Sequence, residues 1–247
     1  MRSALRDSLI NIKKKDDGLY LIVGDIGFGV FEEYEEKFPE DYLNIGICEA
    51  NMIGVSSGMA MNGFIPIVYT IVPFLTMRCF EQVRVDLAMH NQKVVLIGVG
   101  GGLAYGNLGP THHSFEDIAL MSLLPNFQVF SPSQPNEGGE CLKMALKHDG
   151  PSYIRLGKNG EPDLSEYIIN EKIGTKIYCN DPSESDLIIS TYGAITYECI
   201  KAALILIKHN IKVSVCSVMQ VKPIPESILE ICQKHNISID KIKFLFE

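Results

Sequence analysis

The feature that most constrains this chain is a rhythm. Short apolar runs, each closed by turn residues, alternate with longer stretches of helical periodicity. The run Leu19-Tyr20-Leu21-Ile22-Val23, stopped by Gly24-Asp25, is apolar throughout rather than at every second residue, as strands buried on both faces are. Similar runs recur at 42–45, 65–69, 94–99, 127–130 and 153–156, with helical stretches at 49–61, 74–90, 115–123 and 136–147 between them. An opening helix, capped by Ser3, carries Leu5, Leu9 and Ile12 on one face. Strand-helix alternation of this kind predicts a parallel sheet wrapped by helices. Over 157–182 the rhythm lapses into Asn-Gly-Glu-Pro and Asn-Asp-Pro-Ser strings, with one strand expected near 173–179. It then resumes with strands at 187–191, 213–218 and 242–246 and helices at 194–209 and 226–235. The expected fold is α/β, with a parallel-sheet domain over 1–160, a connection over 161–183 and a second α/β domain over 184–247. The last strand has no returning helix, so the second domain either is truncated at Glu247 or takes packing from a partner.

Composition narrows the class. The 247 residues are 46% hydrophobic, enough for a large core, and their formal net charge of −8 argues against a nucleic-acid surface. The Lys13-Lys14-Lys15 run reads as the solvated last turn of a helix. Seven scattered cysteines form no CxxC pair, which fits a reducing cytoplasm and offers neither a zinc site nor a disulfide framework. No apolar stretch approaches a membrane span, and the first residues lack the apolar core of a signal peptide.

Three constellations could carry chemistry. Glu49 stands where a strand gives way to an apolar helix. It compensates the helix dipole or, at the carboxyl end of a strand where open α/β sheets place ligands, shares a proton with one. Phe74, Met77, Phe80, Val83 and Leu87 form a helical stripe, which is core packing or the wall of a pocket for a flat heterocycle. The loop from Gly100 to His113 holds five glycines, suggesting close backbone approach to a ligand, and ends in His112-His113, which can trade protons near neutral pH. It lacks Gly-x-Gly-x-x-Gly spacing, no P-loop occurs, and adjacent histidines without a third ligand make no metal site.

The order of these motifs carries more than any one of them. Gly24-Asp25-Ile26-Gly27, Gly46-Ile47-Cys48-Glu49-Ala50, Pro73-Phe74-Leu75 with Phe80-Glu81-Gln82, Leu108-Gly109-Pro110-Thr111-His112-His113, Leu124-Pro125-Asn126 and Ser131-Pro132 together resemble the C-terminal half of transketolases. The likeness extends to the pyrimidine-binding regions of 1-deoxyxylulose-5-phosphate synthase and of the beta subunits of 2-oxoacid dehydrogenases. It covers essentially the whole chain and is strongest over residues 20–157. The resemblance implies a thiamine diphosphate pyrimidine-binding domain followed by a transketolase C-terminal domain, whose family usually continues beyond this last strand. It also implies a cofactor held between two chains. The Gly-Asp-Gly motif of the diphosphate-binding half is absent, so the chain looks like one subunit of a split transketolase. Its partner would be an N-terminal subunit holding the diphosphate and Mg2+ (or Ca2+), in an α2β2 assembly.

By the same resemblance, Glu49 matches the family glutamate that stabilises the imino form of the aminopyrimidine. Phe74 and Phe80 match residues lining the pyrimidine pocket, and Met77 stands at an often aromatic position. Asp25 matches an acid near the cofactor and chain interface. His112 matches the histidine that faces substrate hydroxyls, with His113 its supporting neighbour, and Arg155 or Lys158 would bind a substrate phosphate. Gly29, Gly100 and Leu108 replace a Ser, a His and an acid of the family pattern. Losing such donors weakens the case for a standard phosphorylated aldose and points to a modified sugar. Two other readings stand beside transketolase: a 2-oxoacid-decarboxylating relative, and a non-catalytic structural or regulatory subunit.

Overall fold

The computed structural model describes residues 1–15 and 18–234. In chain order the elements are α1 (Arg2–Lys13), β1 (Leu19–Val23), α2 (Glu32–Lys37), β2 (Tyr42–Asn44), α3 (Glu49–Met61), β3 (Ile65–Ile71), α4 (Val72–Thr76) and α5 (Phe80–Gln82). A π-helical segment, Val83–Met89, continues α5. There follow β4 (Val95–Val99), α6 (Asp117–Leu123), β5 (Gln128–Phe130), α7 (Glu137–Lys147), β6 (Ser152–Leu156), β7 (Ile168–Lys172) and β8 (Thr175–Tyr178). The series ends with β9 (Leu187–Thr191), α8 (Thr196–Lys208), β10 (Val213–Val218), β11 (Gln220–Lys222) and α9 (Glu226–Lys234). The strand expected at 242–246 lies outside the described residues.

Seven strands form the first sheet in the order β11-β5-β6-β4-β3-β1-β2. All are parallel except β11, which runs antiparallel to β5. Successive residues of a strand point to opposite faces, and here both faces are covered. Leu21, Ile67, Ile97 and Ile154 pack with Leu5 and Leu9 of α1 and Leu142 of α7. Ile22, Val68, Leu96 and Tyr153 pack with Met52 and Ile53 of α3 and with Ile118 of α6. This double cover is why the strands read as unbroken apolar runs. The second sheet, β7-β8-β10-β9, is mixed: β9 and β10 are parallel, whereas β8 runs antiparallel to both of its neighbours, β7 and β10.

The structure departs from the sequence reading at five places. The opening helix starts at Arg2 after Met1 and has no side-chain cap, so Ser3 lies inside its first turn and does not cap it. The single strand expected near 173–179 is a hairpin, β7–β8, turned at Gly174 with φ +76°. The helix expected over 74–90 is broken after Thr76, because Cys79 turns its thiol back onto the Leu75 carbonyl at 2.8 Å and Arg78 N–H donates to the Pro73 carbonyl at 3.2 Å. The short strand β11 leaves the second sheet region and closes the edge of the first. Lys13 is not solvated: it is 4% exposed and pairs with Asp41 at 3.0 Å.

Candidate active site

Six parallel strands point one way, so the loops that follow them meet along one edge of the sheet. Asp25 follows β1, Glu49 follows β2, Phe74 follows β3, the glycine-rich loop with His112 follows β4, and Lys158 follows β6.

Glu49 opens α3 and is 1% exposed, and no side chain caps the helix. A carboxylate there is favoured by the free N–H groups and the dipole of the first turn. Its hydrogen-bond partner is Arg78, whose Nη1 donates to Oε2 at 2.8 Å. Arg78 reaches it from the break between α4 and α5, and its guanidinium carbon lies 4.2 Å from the Phe74 ring centroid. Phe74 meets the His112 imidazole edge-on at 5.2 Å, and His112 meets Tyr105 at 5.5 Å. The Lys158 ammonium lies over the Tyr105 ring at 4.7 Å. A continuous row therefore runs Glu49, Arg78, Phe74, His112, Tyr105, Lys158. Behind it, burial and the Glu49 charge push the Cys79 thiol up to about 12, which keeps it a protonated donor.

The glycine-rich loop has a different basis from the one its sequence suggests. A Cβ on Gly100 would fall inside the Tyr105 ring, and one on Gly101 inside the Arg155 guanidinium. At these two positions the chain's own side chains, not a ligand, require glycine. Gly109, by contrast, has φ +77° and open space around it, so backbone conformation is what demands glycine there. The loop's far end is fixed by a buried network. Asp117 accepts from Ser114 Oγ at 3.0 Å and from Tyr153 Oη at 2.7 Å, and pairs with Arg155 Nε at 3.1 Å. Arg155 is thus a buried partner of Asp117 that also lines a neighbouring cavity. Thr111 Oγ1 lies 2.9 Å from His112 Nδ1, and His113 Nε2 lies 2.7 Å from the Gly106 carbonyl, closing the loop on itself.

Of the remaining candidates, exposed Asp25 is in the left-handed region at φ +53° and is clasped to Asn44, whose Nδ2 donates to Oδ1 at 3.1 Å. Met77 is exposed near Arg78, and Phe80 packs against the apolar cluster under the broken helix. Among the described residues no three His, Cys, Asp or Glu side chains converge as metal ligands. Sequence reasoning missed Arg78, Tyr105 and Asp117. Arg78 follows Phe74 at i+4, a signal masked by the apolar stripe; the Gly100-Gly101 pair could have betrayed large side chains lying across it.

A family profile for the transketolase pyrimidine-binding domain matches residues 1–161 of the 247. The chain belongs to the transketolase family. A second profile, the transketolase C-terminal domain, matches residues 179–239. One of the subunits of an apulose-4-phosphate transketolase, from Actinobacillus succinogenes, is 33% identical over 195 residues, an alignment spanning 76% of this chain and 60% of that protein. A 1-deoxy-D-xylulose-5-phosphate synthase of Corynebacterium glutamicum is 27% identical over 243 residues, 96% of this chain but 38% of the synthase. Among solved structures, a split gene transketolase in an inactive β4 tetramer superposes with a TM-score of 0.81 at 29% identity, covering 94% of this chain and 75% of that one. This transketolase-family chain therefore spans less than two thirds of some of the curated relatives it matches, and shares both its domains with the family.

Proposed function

We propose that the chain is the pyrimidine-binding subunit of a thiamine diphosphate-dependent transketolase that moves a two-carbon ketol unit between sugars. The observation that carries this reading is Glu49: a carboxyl at 1% exposure, at the carboxyl edge of a parallel sheet, held by one side chain that is itself half exposed. The residues present suit the cofactor's aminopyrimidine. The Arg78 guanidinium, a planar nitrogen group, already lies over Phe74 while donating to Glu49, which is the pair of contacts a planar heterocycle would need. Thiamine diphosphate, when bound, supplies the carbanion centre that carries the ketol unit.

The chain's own residues then divide the remaining work. Glu49 shares a proton with the ring nitrogen in surroundings dry enough to keep that bond strong. Phe74 stacks on the ring, with Met77 and Phe80 completing the wall. Asp25 stands toward the partner chain, which holds the diphosphate and Mg2+ or Ca2+. His112 hydrogen-bonds substrate hydroxyls, steadied by His113, and Lys158, with Arg155 behind it, meets an anionic end of the substrate. The relative acting on apulose 4-phosphate and the lost donors at Gly29, Gly100 and Leu108 support a modified sugar as substrate. An inactive β4 tetramer of a split relative supports a chain that works only with a partner subunit. An N-terminal partner in an α2β2 complex, in the cytoplasm and without membrane or nucleic acid, belongs to the same reading, as does the division into domains at 160 and 183.

The test is reconstitution. The chain, a partner that carries the Gly-Asp-Gly motif, thiamine diphosphate and Mg2+ should together transfer a ketol unit, and neither polypeptide should do so alone. A complex that binds no cofactor would favour a structural or regulatory role. The alignment of 96% of this chain with part of the synthase supports a second reading as a 2-oxoacid-decarboxylating enzyme. Carbon dioxide release from pyruvate without transfer from ketoses would select it.

A further inference from the structure

Tyr105 is 9% exposed although it lies on a loop whose neighbours Leu103 and Leu108 face solvent. Three contacts engage its ring. The ring takes the space where a side chain on Gly100 would stand, His112 meets it at 5.5 Å, and Lys158 covers it at 4.7 Å. At 9% exposure the ring has too little free surface to stack on a ligand itself. Lys158 meets no carboxylate within ion-pair distance among the described residues, so the aromatic face is what orients it. That ammonium also borders a cavity of about 530 Å³ between the two sheets, lined by Leu103, Ser131, Gly193 and Tyr197 among others. It is therefore both steered and accessible.

We propose that Tyr105 is a positioning residue of the site: seated in the space left by Gly100, its ring holds the His112 imidazole and the Lys158 ammonium in fixed relation, so that its loss weakens recognition of an anionic substrate end more than of a neutral one. The inference rests on the transketolase reading above and deepens it. A ring that only filled volume would, when removed, lower turnover of charged and neutral substrates alike. A ring that steers Lys158 lowers them unequally, and Tyr105→Phe, which keeps the ring, preserves the preference.

The experiment has two arms. In the two-subunit complex with thiamine diphosphate and Mg2+, kcat/KM is measured for an aldose phosphate and for the same aldose without phosphate. Tyr105→Leu should lower the ratio of the two by about tenfold, mainly through KM, with Tyr105→Phe close to the native ratio. With Lys158→Met already in place, Tyr105→Leu should not change the ratio further. An equal loss for both substrates overturns the proposal. In the second arm, the histidine ring resonances of the full chain are recorded without any cofactor. The His112 signal should move in Tyr105→Leu, or in Tyr105→Met should the leucine variant not fold, and stay in Tyr105→Phe; an unmoved signal overturns the proposal whatever the catalysis. A native complex that binds cofactor but transfers no ketol unit would instead sink the transketolase reading, and the resonance arm would still decide where Tyr105 stands.

Discussion

Two buried glutamates open helices on opposite faces of the first sheet, and their surroundings separate a site from a strut. Glu137, at the start of α7, is 0% exposed and is surrounded by donors: Ser133 N–H at 2.6 Å, Gln134 Nε2 at 3.3 Å, Tyr178 Oη at 3.4 Å and the Lys176 ammonium at 3.8 Å. Tyr178 and Lys176 belong to β8, so this carboxyl ties the second sheet to the first. Glu49, at the start of α3, has one side-chain donor among the described residues, Arg78, and that donor is half exposed. A carboxyl saturated by rigid neighbours has no capacity left for a ligand. One whose partner can swing into water has.

The sharpest way to break this contrast is at Glu49. Glu49→Gln in the reconstituted complex should cut turnover by about 10²–10⁴-fold, as loss of a proton-sharing group does, while the melting temperature of the chain changes little. Full turnover in this variant would put Glu49 with the struts. Glu137→Ala should do the reverse. Stripping one member from a buried, hydrogen-bonded charge set costs about 3 kcal/mol of stability, read as a lower denaturant midpoint, with cofactor affinity of the surviving folded complex unchanged.

The contrast between the two carboxyls also sharpens with pH. Burial raises the Glu137 carboxyl above its ordinary 4.5, against the lowering pull of the Ser133 N–H and of Lys176. The folded chain thus holds this proton more tightly than the unfolded chain. Its contribution is complete below 4.5 and fades as pH climbs through the raised value. Melting curves taken from about pH 4 to 8 should show a decline that Glu137→Gln flattens. Parallel curves for the two proteins would contradict the assignment. The smallest effect is expected at Arg78: because water can enter where its half-exposed head group stood, Arg78→Met should alter stability by no more than about 1 kcal/mol. A loss as large as that of Glu137→Ala would show that Arg78 is structural.

How much of this was legible in the sequence depends on whether the signal is local. The strands of the first sheet were readable because cover on both faces leaves no polar alternation, and Glu49, Phe74 and His112 stand at the ends of those strands. The break after Thr76 was hidden, since the apolar spacing of Phe74, Met77 and Phe80 continues across it; only the Cys79 thiol and the Pro73 carbonyl reveal the turn. The strand β11 is three residues long and polar at both ends, and it exists because the edge of β5 needs a partner. Lys13 reads as one of three solvated lysines, yet a distant Asp41 draws it inward. Arg78, Tyr105 and Asp117 each combine a near neighbour with a partner far along the chain, Glu49, Lys158 and Tyr153 respectively. Their own neighbourhoods carry only a faint signal of this, such as the Gly100-Gly101 pair.

The central claim is that Glu49 exchanges its Arg78 partner for the aminopyrimidine ring in the assembled enzyme. A crystal structure of the two-subunit complex with thiamine diphosphate tests it directly. The carboxyl should then lie within hydrogen-bond reach, about 2.6–3.2 Å, of a ring nitrogen, with the Arg78 guanidinium displaced. A bound cofactor whose ring lies elsewhere, with Glu49 still paired to Arg78, would contradict it.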